Sequence, residues 1–441
     1  MRTISSLHLD LHRHHSGDTP ARPRGLHVVT GLVLTAALLA AGCSAGDSSG
    51  GRASSAIPTD PTSDQVSSFA SPGAAAGTGT GRAIGIRTSR QGRAQTCIQT
   101  AFSQLSATQR AAQLVMAGVP VGSPGGQAAL VKKNHLGGVF LAGRSSHSPA
   151  TVRKSVALLP AQKTANATIK LLVSTDQEGG QVQTLRGGSW TTIPAATVQA
   201  TWSKATLKSR TTAWVKQLKS AGITMDLAPV ADTVPAGTEA KNPPIGYYHR
   251  QYGSTPAAVA SKITTVTSSM RAAGVIPTVK HFPGLGRVRY NTDTSTHAVD
   301  NKTTTTDPYL DPFQAGITAG AGAVMVSSAS YPKLDPDHLA VFSSKVITDL
   351  LRTKLGYQGV VMTDDVGRAV AVKSVATGQR AVRFITAGGD VVLTVVSSQA
   401  PTMVSAIVAK ARSSASFRAK VNASALRVLE LKYAQGLLTC Q

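Results

Sequence analysis

Between residues 97 and 441 the chain alternates two patterns. Short apolar runs of four to six residues lie at 114–119, 138–142, 171–174, 225–230, 275–279, 323–326, 359–362 and 391–395. They are rich in Val, Leu and Met. They are continuous rather than alternating, which predicts strands covered on both faces, as in a parallel sheet. Helical signals lie between them. Ser254-Thr255-Pro256 offers a cap and a first-turn proline, Val259, Ile263, Val266 and Met270 share one face, and Gly274 stands at the C-terminal cap position. Ile347, Leu350, Leu351 and Leu355 repeat the idea before Gly356. Eight strand–helix units predict an α/β fold, a (β/α)8 TIM-type barrel. A doubly wound open sheet uses the same units. The absence of a G-x-G-x-x-G string after the first strand weighs against its dinucleotide-binding form.

The first 96 residues follow neither pattern. Arg2, Arg13, Arg22 and Arg24 precede an uncharged apolar run over 28–41. A membrane-spanning helix needs about 20 apolar residues, so the run reads as the core of a signal peptide, 1–42. It ends Leu39-Ala40-Ala41-Gly42-Cys43, which resembles the bacterial lipoprotein signal and implies lipidation at Cys43. Leu39 stands four before the Cys where that signal usually has Leu three before. Residues 43–96 are dominated by Gly, Ser, Ala and Thr and predict a flexible tether with a reach of roughly 40 Å. The expected location is extracytoplasmic, lipid-anchored to the outer face of the bacterial cell membrane. Cys97 and Cys440 bracket the folded region, 97–441, and predict a disulfide outside the cytoplasm.

Charge narrows the classes. The 441 residues hold 45 Lys and Arg against 21 Asp and Glu, a formal net charge of +24. Only 15 % of residues are charged, so the excess reflects scarce acids rather than basic runs. That argues against a nucleic-acid partner. Residues 97–441 keep 36 basic against 16 acidic side chains, which suits a neighbourhood of anionic cell-wall polymers.

Polar residues gather where the predicted strands end. The third is followed by Asp176-Gln177-Glu178-Gly179-Gly180, the fourth by Asp232, the fifth by Lys280 and His281, and the seventh by Asp364 and Asp365. Strand exits form the active face of such a barrel. Asp232 and Asp365 also read as helix caps, and Glu178 as a turn residue. Carboxylates accept hydroxyl hydrogen bonds while Lys and Arg donate them, which suits a carbohydrate substrate. No metal-ligand spacing is present, and no cofactor is expected.

Lys280-His281-Phe282-Pro283-Gly284, Asp176-Gln177-Glu178-Gly179-Gly180 and Thr363-Asp364-Asp365 resemble glycoside hydrolase family 3, and more closely its single-domain bacterial β-N-acetylglucosaminidases. The likeness spans about 105–435. It implies a monomeric retaining exo-enzyme acting on cell-wall (peptidoglycan) fragments, with Asp364 as nucleophile. Asp176, Arg250, Lys280 and His281 would bind the sugar. In the family a D-x-H string supplies a His proton donor with its Asp partner. Here Leu285 replaces the second His of K-H-F-P-G-H-G, and Asp293 is followed by His297 four residues on. The resemblance therefore implies an Asp293/His297 acid–base dyad on a remodelled loop, with Asp293 alone as the other option. Gln181 stands where the family usually has Arg. A β-glucosidase, or a sugar-binding lipoprotein with impaired catalysis, would fit the same scaffold.

Overall fold

The computed structural model describes residues 80–441. The signal segment, Cys43 and residues 43–79 of the expected tether lie outside the described residues. Eight parallel strands form the centre: β1 (Val115–Pro120), β2 (Gly138–Ala142), β3 (Leu172–Thr175), β4 (Met225–Asp226), β5 (Ile276–Phe282), β6 (Ala323–Val326), β7 (Val360–Thr363) and β8 (Val392–Thr394). Each pairs with its sequence neighbour, and β1 also pairs with β8. A bridge between Met362 and Val391 joins β7 to β8 and closes the ring. All residues of β2, β3, β5, β6, β7 and β8 are buried. That two-sided burial is why these strands carry unbroken apolar runs.

Helix Pro256–Ala273 forms as its pattern predicts. Val259, Ile263, Val266 and Met270 are buried, and Gly274 closes the helix at φ 84°. Helix Lys345–Lys354 departs from regular α winding. It is a π-helix, and the Leu355 N–H that ends it reaches Leu350 five residues back.

The first described helix, α1, runs Thr80–Gln104. It starts inside the segment expected as tether, so residues 80–96 are helical and the expected boundary at 96 is not a structural one. Cys97 on α1 forms the expected disulfide with Cys440, with Cα atoms 5.7 Å apart. Cys440 ends a short strand, Leu438–Cys440, that pairs antiparallel with Ala167–Ile169. Cys97, Ile98, Ala101, Leu105, Ile169, Leu429 and Leu438 form a small apolar cluster separate from the main core. Among the described residues no helix is long and apolar enough to cross a membrane.

Candidate active site

The site is built on β5. Near its C-terminal end Lys280 and His281 are only 3 % exposed, and both line a cavity at the C-terminal ends of the strands. An ammonium buried this deeply needs anionic partners. The Lys280 Nζ has two, Asp176 Oδ1 at 2.7 Å and Glu178 Oε1 at 2.6 Å. Both sit just beyond β3, at the start of a hairpin formed by Gln177–Gly179 and Val182–Gln183. The turn needs glycine. Gly179 has φ 107°, and a Cβ there would collide with the Pro194 carbonyl oxygen.

Glu178 also holds Arg250. The guanidinium donates from Nε to Oε2 at 2.9 Å and from Nη2 to Oε1 at 2.7 Å, while Nη1 donates to the Pro244 carbonyl at 2.7 Å. This bidentate fork fixes the plane of the arginine. Burial alone would raise the Glu178 carboxyl. The charges and hydrogen bonds of Arg250 and Lys280 outweigh burial and hold it at about 2. For Lys280, burial acts to lower the pKa, and Asp176 and Glu178 reverse this to a net rise. The four side chains form a charge-balanced lattice of two cations and two anions.

His281 is oriented by Asp232, whose Oδ2 lies 2.7 Å from Nδ1. Asp232 Oδ1 accepts from the Leu285 N–H at 2.7 Å, which also pins the start of the loop after β5. With the proton on Nδ1, Nε2 faces Arg250 Nη2 at 3.4 Å as an acceptor. Asp232 therefore positions a site residue rather than capping the next helix. Glu178, expected as a turn residue, is the hub of the lattice. Asp226 lies beneath it, and its Oδ1 accepts from the Gln177 N–H at 3.0 Å. Burial pushes the Asp226 carboxyl up to about 8 despite the Lys280 charge.

Asp364 enters from the end of β7 and lines the cavity together with Asp176, Arg250, Lys280 and His281. Its Oδ1 accepts from the Asp365 N–H at 2.8 Å. Asp365 caps the following turn, as its sequence position suggests. It accepts from Gly367 and Arg368, and its Oδ1 also accepts from Val395 beyond β8 at 2.9 Å.

The loop after β5 splits the expected dyad. Asp293 lines the cavity with Asn291 and Thr292. The segment is tied across the mouth, since the Ala371 N–H donates to the Thr292 carbonyl at 3.0 Å and the Val370 N–H to that of Asp293 at 3.3 Å. His297 takes another place than the dyad requires. It is exposed, lines a separate depression and stacks near Tyr290, with ring centroids 6.2 Å apart. The two extra residues between Asp293 and His297 carry the chain around the loop to its other side. Leu285 is 2 % exposed in the cavity wall, where a histidine would bring a polar ring. Gln181 lines the cavity beside Arg144. Among the described residues no group of three His, Cys, Asp or Glu could hold a metal ion.

The sequence profile of the glycosyl hydrolase family 3 N-terminal domain matches residues 107–431. A β-hexosaminidase of Stenotrophomonas maltophilia (strain R551-3) is 35 % identical over 249 residues, 55 % of this chain and 72 % of that protein. The crystal structure of a β-N-acetylhexosaminidase from Beutenbergia cavernae is 44 % identical with a TM-score of 0.71, covering 75 % of this chain and 99 % of that one. A family 3 β-N-acetylglucosaminidase from a Paenibacillus strain is 29 % identical with a TM-score of 0.66, covering 76 % and 63 %. With this barrel, these strand-end carboxylates and a match over most of its length, the chain belongs to glycosyl hydrolase family 3 and is a glycoside hydrolase.

Proposed function

We propose that the protein is a retaining exo-β-N-acetylglucosaminidase that removes terminal N-acetylglucosamine from cell-wall (peptidoglycan) fragments. The observation that carries this reading is the convergence of Asp364 and Asp293 on the cavity that also holds the Asp176–Lys280–Glu178–Arg250 lattice. The hexosaminidases among its relatives support the choice of sugar.

Asp176, Lys280, Arg250 and His281 hold the hydroxyls of the terminal sugar. The Asp364 carboxylate attacks the anomeric carbon as the bond to the leaving oxygen breaks, and Asp293 gives that oxygen its proton. Water then attacks the glycosyl ester, returns a proton to Asp293 and releases Asp364, with net retention. The lattice is already assembled before substrate arrives, so its interactions can strengthen as the ring flattens toward the transition state. In this reading a signal segment and a lipid on Cys43 hold the barrel outside the cytoplasm, at the outer face of the cell membrane.

A chromogenic aryl N-acetyl-β-glucosaminide tests the reading against an aryl β-glucoside. The first is cleaved at least tenfold faster in kcat/KM. Asp364→Ala lowers turnover by roughly three orders of magnitude or more. Equal rates on both glycosides would remove the amino-sugar assignment, and an Asp364→Ala protein as fast as wild type would remove the nucleophile.

A further inference from the structure

The charge of the barrel is unevenly placed. From residue 97 to 238 the chain has four acids, Asp176, Glu178, Asp226 and Asp232, and all four are buried around the active site. Glu239 follows in the loop after β4, and no other acid appears before Asp293. Four helices of this region, Ala128–Asn134, Pro149–Val156, Lys204–Ser220 and Pro256–Ala273, precede β2, β3, β4 and β5 in turn. Such crossover helices run back along the barrel to the start of the next strand. Their last turns therefore gather at the end opposite the catalytic cavity. Those turns hold Lys132 and Lys133, then Arg153 and Lys154, then Lys219, then Arg271. All six are exposed.

Neighbouring helix ends share their surface. Lys132 and Lys163 line one depression, and Arg153, Lys216 and Lys219 line another. The Lys219 side chain lies over Gly274, which closes the fourth helix, and that of Arg271 over Gly320, ahead of β6. The ion pairs of the described residues include none of these cations. Helix dipoles do not account for the pattern. They favour cations in last turns and acids in first turns. None of the four first turns has an acid, and Lys204 stands at the start of its helix, where the dipole disfavours it.

The chain also enters the fold at this end. Cys97 is bonded to Cys440, whose strand pairs with Ala167–Ile169 just ahead of β3. We infer that this far end of the barrel docks on an anionic lipid surface, with phosphate headgroups against Lys132, Lys133, Arg153, Lys154, Lys219 and Arg271, so that the catalytic mouth faces away from the bilayer. The cations are spread over the ends of four helices rather than gathered in one ligand-sized pocket, which fits a plane of headgroups. The inference goes beyond the sugar chemistry. It takes from the proposed reading only the lipid on Cys43, as the reason for choosing a bilayer.

The test uses the full chain with Cys43→Ser, which cannot be acylated, and co-sedimentation with vesicles of phosphatidylcholine alone or mixed with phosphatidylglycerol. The neutral vesicles report any insertion of the apolar run over 28–41. This protein binds the anionic vesicles at least about tenfold more tightly than the neutral ones, and about 0.5 M salt erases the difference. Each adsorbed Lys or Arg contributes about fivefold in affinity. Adding Lys132→Gln, Lys133→Gln, Arg153→Gln and Lys154→Gln therefore weakens anionic binding at least about tenfold. A matched set on the mouth side, Lys241→Gln, Arg289→Gln, Lys302→Gln and Lys333→Gln, stays within about twofold. Circular dichroism confirms that both variants are folded. No preference for the anionic vesicles, or equal effects of the two sets, overturns the inference. Capture of a soluble glycerol-phosphate polymer by the same four cations, without vesicle binding, also overturns it and gives the surface to a wall polymer. None of these readouts depends on hydrolysis, so failure on N-acetylglucosaminides refutes the proposed activity and leaves this result standing.

Discussion

Lys280 and Glu178 carry opposite charges where water cannot screen them, and each depends on the other. Removing one partner of a buried pair leaves the other charge uncompensated, at a cost of about 3–5 kcal/mol. Glu178→Gln should destabilise the barrel by that order in a denaturant melt, and Glu178→Asp should recover only part of it because the bidentate fork to Arg250 is lost. The acid limb carries a second signature. The folded carboxyl sits at about 2 against an ordinary 4.5, so its contribution is complete above about 4.5 and fades as pH falls toward 2. Glu178→Gln should flatten stability across that window. The residues of the proton donor separate in the same way. Asp293→Asn should lower kcat on unactivated disaccharides about 10²–10⁴-fold, while His297→Ala should leave the pH–rate profile unchanged. A shifted profile in His297→Ala would restore the dyad. Asp176, Lys280, His281 and Asp364 were legible because each ends an apolar run. The roles of Glu178 and Asp232 were not. Their partners, Arg250 and His281, lie 72 and 49 positions away, and a Glu before Gly-Gly or an Asp after a strand looks like turn chemistry.

The strands of the barrel were legible for a physical reason. Burial on both faces leaves no polar alternation, so each run marks its strand to within a few residues. Short β4 is the exception. Its run reaches Val230, but regular pairing with β5 stops at Asp226; beyond it the Thr278 N–H donates to the Ala228 carbonyl at 2.8 Å and Val230 bridges Lys280. The π winding of Lys345–Lys354 left no mark either, since its apolar spacing also suits an α-helix. The helix over Ala415–Ala434 carries a feature that composition conceals. Lys432 is 1 % exposed and donates to Gln113 Oε1 at 2.6 Å and to the Gly137 carbonyl at 2.8 Å. Burial holds its ammonium down at about 7 from an ordinary 10.5. The unfolded chain binds that proton more tightly, so protonation favours unfolding, and stability gains as pH rises from about 7 toward 10.5. The wild type should therefore gain unfolding free energy between pH 7 and 9. Lys432→Met should show a flatter slope over the same range, and an equal slope would contradict the assignment.

At the scale of the molecule, the ends of the described fold are stapled together. The Cys97–Cys440 bond joins α1 to the last strand across 343 positions. A loop of that length should contribute up to about 4–5 kcal/mol where chain entropy dominates. Cys97→Ser should lower the melting temperature by several degrees and leave kcat nearly unchanged, because the bond is remote from the cavity. Both partners were legible from their bracketing positions. The helical start at Thr80 was not, because residues 80–96 are as poor in large apolar side chains as the sequence before them. Trapping would show whether Asp364 forms a covalent bond to the sugar. A fluorinated N-acetylglucosaminyl fluoride that slows the second step should add one glycosyl mass to the intact protein, and digestion should map it to Asp364. Stoichiometric labelling of another residue, or turnover with inversion and no adduct, would contradict the account.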